Sequence, residues 1–135
     1  MNTAEPKIRI LDLPNFGDAR GPSFTIPAEA LSFVGQTRDV HMASTRNGAV
    51  RGNHYHLRRR EALIVLPGSE WSLHWDNGDA ASPQHRQFDG TSAVLVLIAP
   101  GASHAVRNDS DNTLWLVAMS SESFDPSETV ARKVV

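Results

Sequence analysis

The chain has 135 residues, of which 40% are hydrophobic, and it contains no cysteine. This length and hydrophobic content suit a single globular domain that spans residues 1–135. The formal net charge of -2 argues against general binding to nucleic acids or to an anionic membrane surface. Because thiols are absent, disulfides, thiol nucleophiles and thiolate metal sites are excluded, and histidine and carboxylate side chains remain as metal ligands.

The beginning of the chain, MNTAEPKIRILDL, does not have the charge pattern of a signal peptide. No apolar run in the sequence approaches the ~20 residues that span a membrane. We therefore expect a cytoplasmic protein. Its first few residues are expected to be loosely held.

Several short apolar or alternating runs predict an all-β fold. They are separated by Gly, Pro, Asn and Asp, which is typical of a sandwich or barrel. Residues 92–100 are almost entirely apolar, as expected for a strand that is covered on both faces. The runs are residues 7–13, 23–27, 62–68, 70–76, 92–100 and 113–119.

Residues 70–76 alternate between apolar and polar side chains. The alternation places Trp71, Leu73 and Trp75 on one face, where core packing is a more frequent role than a subunit interface. The sequence DNGD at residues 76–79 predicts a tight turn, so this strand is expected to form one arm of a hairpin. Elsewhere, residues 27–33 are compatible with one helical turn, and residues 127–135 are expected to form a loose tail.

Two histidines and a glutamate lie close together in the stretch RGNHYHLRRRE. On a strand, the side chains of His54 and His56 leave one face and that of Tyr55 leaves the other. If residues 57–60 form a hairpin loop, Glu61 lies across from His56 on the same face. Leu63 and Val65 then point inward behind Glu61. The polar groups would therefore converge in an apolar interior, where a cation is one suitable partner.

A third histidine follows in the stretch PGASHAVRN. His104 would leave the same face of its strand as Val106 and Asn108, so it is a candidate to complete a set of three imidazoles and one carboxylate. Such a set suits zinc, iron, manganese, nickel or copper ions. The alternatives are histidines without a ligand and a glutamate paired with a neighbouring arginine. Asn108 is expected to be a turn or strand-end residue.

The remaining histidines and the loop arginines match no metal-site pattern. We expect surface positions for His41, His74 and His85. The three arginines at residues 58–60 suggest phosphate binding, but three cations in a short turn more often form a solvated loop, which is what we expect here.

These residues resemble the cupins, whose first motif is G-x5-H-x-H-x3or4-E-x6-G. The second cupin motif is matched in part, by Gly101, His104 and Asn108. The resemblance implies a small antiparallel jelly-roll β-barrel, usually dimeric, with a metal ion held by His54, His56, Glu61 and His104. The first motif is matched by Gly48, His54, His56, Glu61 and Gly68.

The flanking sequence is similar to the RmlC-like branch of the cupins. Residues 10–21, ILDLPNFGDARG, resemble the nucleotide-sugar 3,4-ketoisomerases and carry the D-x-R-G element of the dTDP-4-dehydrorhamnose 3,5-epimerases. RGNHYH and SFDPSET resemble the C-terminal zinc cupin of the bifunctional UDP-sugar epimerase/reductases of capsule synthesis. The resemblance implies a nucleotide-linked keto sugar as substrate, with Arg20 and Arg51 of the type that contacts its phosphates.

The reaction implied is proton transfer next to the carbonyl of a 4-keto sugar. A metal ion, zinc in first place or iron, manganese or nickel, would stabilise the enolate, and histidine is a suitable base. His54 cannot be both a metal ligand and the free base. Without metal, His54 would be the base and His56 an auxiliary. With metal, another residue or a bound water must carry the proton.

Two departures from these families leave other functions open. Epimerases commonly use a tyrosine inside the barrel as the acid opposite their histidine. The sole tyrosine of this chain, Tyr55, is predicted to point outward. Ketoisomerases usually have a lysine after the second histidine, where this chain has Leu57. A non-haem metal-dependent oxygenase and a non-catalytic small-molecule-binding barrel are therefore the alternatives.

Overall fold

The structure, a computed structural model, describes residues 6–78 and 82–135. Its elements are β1 (Ile8–Asp12), α1 (Ala28–Val34), β2 (Asp39–Thr45), β3 (Val50–His56), β4 (Glu61–Val65), β5 (Trp71–Asp76), β6 (Gln84–Phe88), β7 (Val94–Ile98), β8 (Ser103–Asn108), β9 (Leu114–Ser120), a 3-10 helix (Pro126–Glu128) and β10 (Thr129–Ala131). Within these ranges the structure contains no helix that could span a membrane.

The strands form two five-stranded sheets. The first sheet has the order β1-β7-β4-β9-β2, and the second has the order β10-β3-β8-β5-β6. All neighbouring strands are antiparallel. This arrangement confirms the predicted all-β, antiparallel jelly-roll class.

The main core lies between the two sheets. Leu63 and Val65 of β4 pack there against Trp71 and Leu73 of β5, and Trp75 lies at the edge of the same cluster. The strand faces predicted from alternation are therefore confirmed, and the tryptophan stripe belongs to the core. The predicted hairpin arm is also confirmed, because β5 pairs with β6. Its predicted turn at residues 76–79 extends beyond the described residues.

A second apolar cluster covers the outer face of the first sheet. Ala30 and Val34 of α1 pack there with residues of β4 and β7, notably Ile64, Leu95 and Leu97. As a result β7 is buried on both faces, as its apolar sequence predicted. The single helical turn predicted at residues 27–33 is a helix of 7 residues.

Two sequence-based expectations are wrong. Residues 23–27 form no strand; Phe24 and Ile26 instead pack against the cluster beneath α1. The C-terminal tail is held in place, because β10 pairs with β3 and Asn53 Oδ1 accepts a hydrogen bond from the backbone N–H of Val134 at 2.8 Å. The expectation of loosely held first residues concerns residues 1–5, which lie outside the described ranges.

Candidate metal centre

Three histidines of the second sheet meet on its inner face. His54 and His56 are two residues apart on β3, and His104 of β8 is paired directly with His54. One potential ligand atom from each imidazole lies within 4.8 Å of those of the other two. The predicted common face of the three imidazoles is therefore observed.

Glu61 approaches these histidines from the first sheet. Its Oε2 atom lies 3.8 Å from His56 Nε2 and 3.5 Å from His104 Nε2. The carboxylate is buried. The convergence thus agrees with the expectation, but the hairpin on which it was based is wrong. β3 and β4 belong to different sheets, and residues 57–60 connect the sheets rather than forming a hairpin loop.

Two of the imidazoles are oriented by hydrogen bonds to their outer nitrogens. His56 Nδ1 lies 2.6 Å from Glu128 Oε1, and His104 Nδ1 lies 3.0 Å from the carbonyl oxygen of Ala102. A neutral ring that donates through Nδ1 leaves Nε2 as an acceptor or metal ligand. Both Nε2 atoms are therefore available on the side of Glu61.

Sequence reasoning did not single out Glu128, although it lies in the quoted segment SFDPSET. Its side chain is fully buried and also accepts hydrogen bonds from the backbone N–H groups of Arg58 and Arg59, each at 3.2 Å. Asp125 caps the 3-10 helix that carries Glu128 by accepting from the backbone N–H of Ser127. The D-P-S-E pattern of a capped helical turn was the available signal.

The environment keeps His54 and His56 neutral and the carboxylate of Glu61 charged at neutral pH. Burial, followed by the nearby His104 and His56, lowers the pKa of His54 to about 4. Burial also lowers the pKa of His56, although Glu61 and Glu128 act in the opposite direction. For Glu61, burial would raise the pKa, but the hydrogen bond and charge of His104 and the other two imidazoles hold it below its usual value. These are the protonation states that bind a metal cation.

The donor set fits a divalent ion, although the imidazole ligand atoms, up to 4.8 Å apart, are spaced more widely than in a formed tetrahedral site. Tetrahedral coordination with bonds of about 2.0–2.2 Å places ligand atoms about 3.3–3.6 Å apart. The distances of 3.5 and 3.8 Å from Glu61 to two imidazole nitrogens are close to this spacing. Three nitrogens and one carboxylate oxygen suit zinc, and also iron, manganese or nickel.

Two cavities reach this centre. The first has a volume of about 390 Å³ and the second about 530 Å³. Residues shared by both walls are His41, His54, Glu61 and Ala118. The first cavity also contacts Arg51 and His104. The second contacts His56 at the end of β3, Arg59 of the connection, and Phe124 and Thr129 of the C-terminal segment.

Arg51 reaches the first cavity because β3 contains a bulge. The pairing of β3 with β8 shifts between Gly52 and His54, which leaves Asn53 as an extra residue with a φ of 57°. A side chain at position 52 would come within 2.5 Å of the carbonyl oxygen of His104, so only glycine fits. Arg51 donates to the carbonyl oxygen of Ser44 at 2.7 Å, which ties β3 to the edge of the first sheet.

Arg20, the other arginine predicted to contact phosphate, lies outside the two cavities of the candidate metal centre. Arg20 is exposed and pairs with Asp18 at 2.7 Å. Both residues belong to a separate pocket with Phe16 and Pro22. The structure therefore does not bring Arg20 into either cavity of the centre, and its role stays a prediction.

The other three histidines differ in exposure and in their distance from the centre. His41 is exposed as expected, but it lies in the walls of both cavities. His85 is also exposed. The surface position predicted for His74 is wrong, because this residue is only 9% exposed and its Nε2 lies 2.9 Å from Ser72 Oγ.

The arginine loop is solvated only in part. Arg58 is exposed and pairs with Asp125, as expected for a solvated loop. Arg60 is also exposed, and it donates to the carbonyl oxygen of Phe33 at the end of α1. The expectation is wrong for Arg59, whose side chain is only 12% exposed.

Tyr55 and Asn108 are placed as the sequence suggested. Tyr55 is half-buried and is not among the described residues that line either cavity. Asn108 ends β8, where its buried side-chain amide donates to the carbonyl oxygens of Thr45 and Asn112. Asn108 thus has a structural role at a strand end.

Comparisons with known proteins agree with this architecture. The sequence model of the family described as polysaccharide biosynthesis C-terminal domain matches residues 18–130. A search of curated proteins gives no significant match.

Several solved structures have the same fold. The capsular polysaccharide assembling protein CapF from Staphylococcus aureus is 23% identical, with a TM-score of 0.64; the match covers 70% of this chain and 26% of CapF. The chain thus spans about a quarter of CapF. The sugar 3,4-ketoisomerase QdtA from Thermoanaerobacterium thermosaccharolyticum, solved with TDP, is 16% identical, with a TM-score of 0.69 and coverage of 92% and 87%.

A third similar structure is ChmJ, a 3'-monoepimerase from Streptomyces bikiniensis solved with dTDP-quinovose. It is 18% identical, with a TM-score of 0.76; the match covers 93% of this chain and 69% of ChmJ. Together these likenesses confirm the predicted RmlC-like cupin fold.

Proposed function

The chain belongs to the polysaccharide biosynthesis C-terminal domain family, and on this premise we propose that it is a metal-binding sugar epimerase or isomerase. Its substrate would be a nucleotide-linked 4-keto sugar, and its reaction a proton transfer next to the carbonyl. The observation that carries the proposal is the group of three imidazoles and one carboxylate where two cavities meet, in which only His54 is half-buried rather than buried. TDP in the similar ketoisomerase structure and dTDP-quinovose in the similar monoepimerase structure support the substrate class.

The proposed metal ligands are His54, His56, Glu61 and His104. When bound, a divalent ion, zinc in first place, supplies positive charge to stabilise a developing enolate. Glu128 holds the ring of His56 through Nδ1, and this contact orients the Nε2 atom. The apolar side chains of Leu63 and Val106 in the first cavity reduce water access near the reacting carbon.

His41 is the proposed proton carrier. If His54 is a ligand, the base must come from outside the group of three histidines. His41 lies on β2, in the opposite sheet, and lines both cavities beside His54 and Glu61. Imidazole is the side chain most often used to move protons at neutral pH.

Hydrogen–deuterium exchange tests this proposal. Metal-loaded and metal-stripped protein would be incubated in D₂O with UDP- and dTDP-linked 4-keto-6-deoxy sugars. We expect deuterium at a carbon next to the ketone with the metal-loaded protein, and much slower exchange after metal removal. Absence of exchange in both forms would contradict the proposed reaction.

A non-catalytic ligand-binding barrel is the second candidate. It is favoured by the position of Tyr55, the sole tyrosine of the chain, outside the described walls of both cavities. Tight binding of the same nucleotide sugars without deuterium exchange would support this candidate. Under either function we expect a cytoplasmic homodimer, and sedimentation equilibrium measures the oligomeric state.

A further inference from the structure

Arg59 lies in the wall of the second cavity, among the residues of the candidate metal centre. It lines this cavity together with His56 and Glu61, and its side chain is only 12% exposed. By contrast, the preceding Arg58 is 53% exposed and pairs with Asp125. Two adjacent arginines of one connection therefore have different environments, which makes Arg58 a matched control for Arg59.

The guanidinium of Arg59 has few acceptors. Its closest charged neighbour is Glu128, whose Oε1 atom lies 3.5 Å from Arg59 Nε. Within residues 6–78 and 82–135, Nε is buried without a hydrogen-bond partner. The Glu128 carboxylate already contacts His56 Nδ1 at 2.6 Å. Because a buried N–H donor without an acceptor is unfavourable, the Nε–H group of Arg59 favours a ligand that supplies one.

The two arginines expected to contact phosphate are less available. Arg51 already donates through Nε and one terminal nitrogen to the carbonyl oxygen of Ser44. Arg20 is paired with Asp18 and lies in neither cavity of the centre. Arg59 is therefore the cavity arginine whose guanidinium has the fewest contacts in the described part of the chain.

We propose that Arg59 is an anion-binding residue that holds a phosphate of a nucleotide-linked ligand in the second cavity. Guanidinium and phosphate match in charge and in bidentate geometry. The cavity volume of about 530 Å³ is in the range of small-molecule sites. Phe124, which is 80% exposed and lines the same cavity, offers an aromatic face to the base of the nucleotide. The identity of the ligand rests on the proposed function.

Equilibrium binding of UDP, dTDP and inorganic phosphate tests this inference. Titration calorimetry would compare wild-type protein with Arg59→Gln, Arg59→Lys and Arg58→Gln, each in metal-loaded and metal-stripped form. We expect Arg59→Gln to weaken binding of UDP or dTDP about 10- to 100-fold, as for the loss of a charge-assisted contact. Arg59→Lys should lose less affinity, because lysine keeps the positive charge but not the bidentate geometry of the guanidinium. Arg58→Gln should change affinity less than about 3-fold.

Metal content and thermal unfolding of the same variants separate ligand binding from a structural role. If Arg59 binds phosphate, the Arg59→Gln variant should keep the metal content and the thermal unfolding midpoint of the wild-type protein. The inference is overturned if wild-type protein binds neither nucleotide, if both glutamine variants lose affinity equally, or if Arg59→Gln loses metal or stability instead.

The outcome is distinguishable from a failure of the proposed reaction. Nucleotide binding that depends on Arg59 but occurs without deuterium exchange would support the anion site and contradict the reaction. Deuterium exchange together with unchanged nucleotide affinity in Arg59→Gln would support the reaction and overturn the anion site.

Discussion

The second sheet carries histidines on both of its faces. On the inner face, the ring centroids of His54, His56 and His104 are 4.8 to 5.7 Å apart. On the outer face, the rings of His74 and His85 are 5.6 Å apart. The separation of the rings therefore does not distinguish the two groups.

Their surroundings do distinguish them. The inner group faces the carboxylate of Glu61 at 3.5 and 3.8 Å. On the outer face, Ser72 Oγ contacts His74 Nε2 at 2.9 Å. Burial and then the positive charge of Arg107 lower the pKa of His74. A nearby cation disfavours a second cation, so the comparison indicates that a carboxylate and oriented imidazoles, rather than clustered histidines alone, define the candidate metal centre.

The largest expected effect comes from removing a proposed ligand. His104→Gln should reduce zinc affinity by more than the roughly 10- to 100-fold typical of losing an outer contact, and deuterium exchange should disappear with the metal. Zinc affinity is measured by chelator competition. The matched controls His74→Gln and His85→Gln should bind zinc like the wild-type protein. Equal losses in all three variants would show that the two faces do not differ as inferred.

His41→Gln tests a histidine that belongs to neither group. Because His41 lines both cavities from the opposite sheet, we expect the deuterium exchange rate to fall about 10²- to 10⁴-fold, the usual contribution of a general acid or base. Zinc affinity should be unchanged, and His85→Gln should retain normal exchange. Wild-type exchange in His41→Gln would exclude His41 as the proton carrier.

Glu128→Gln tests the orientation of the inner imidazoles. The side-chain amide preserves the size of Glu128 but removes the charge that faces His56 Nδ1 at 2.6 Å. We expect zinc affinity to fall about 10- to 100-fold, while the exposed control Glu70→Gln should have no effect. Unchanged zinc affinity would mean that Glu128 only supports the fold, a role that thermal unfolding would then report.

The sequence predicted the faces of the strands better than their partners. Alternation correctly placed Leu63 and Val65 inward with Glu61, because side-chain direction along a strand is a local property. The predicted hairpin between β3 and β4 is wrong, because membership of a sheet depends on long-range pairing. In the structure β4 pairs with β7 and β9, whereas β3 pairs with β8 and β10.

The parts of the site that were missed depend on the C-terminal segment. Glu128 reaches His56 only because β10 pairs with β3, with Thr129 opposite His56. The tail looked loose because its sequence is short and mixed in polarity, but Asn53 Oδ1 holds the backbone N–H of Val134. This contact in turn needs the bulge at residue 53. Such non-local contacts also bury Arg59, and no local pattern predicts them.

The smallest expected effect is a difference in titration between the two faces. In metal-stripped protein, NMR should show that His54 stays neutral until the pH approaches its pKa of about 4. The unfolded chain takes up this proton near pH 6.5, so between these values it binds more protons than the folded protein. Stability should therefore fall as the pH is lowered through this window. His54→Gln should reduce that slope.

Zinc binding should change the titration of the inner histidines but not that of the outer histidines. A metal-bound imidazole no longer takes up a proton in this range, because protons and the ion compete for the same nitrogen. Saturating zinc should therefore abolish the titration of His54 near pH 4 to 5 while leaving that of His74 unchanged. Retained titration of His54, or an equal effect on His74, would remove the distinction between the inner and outer histidines.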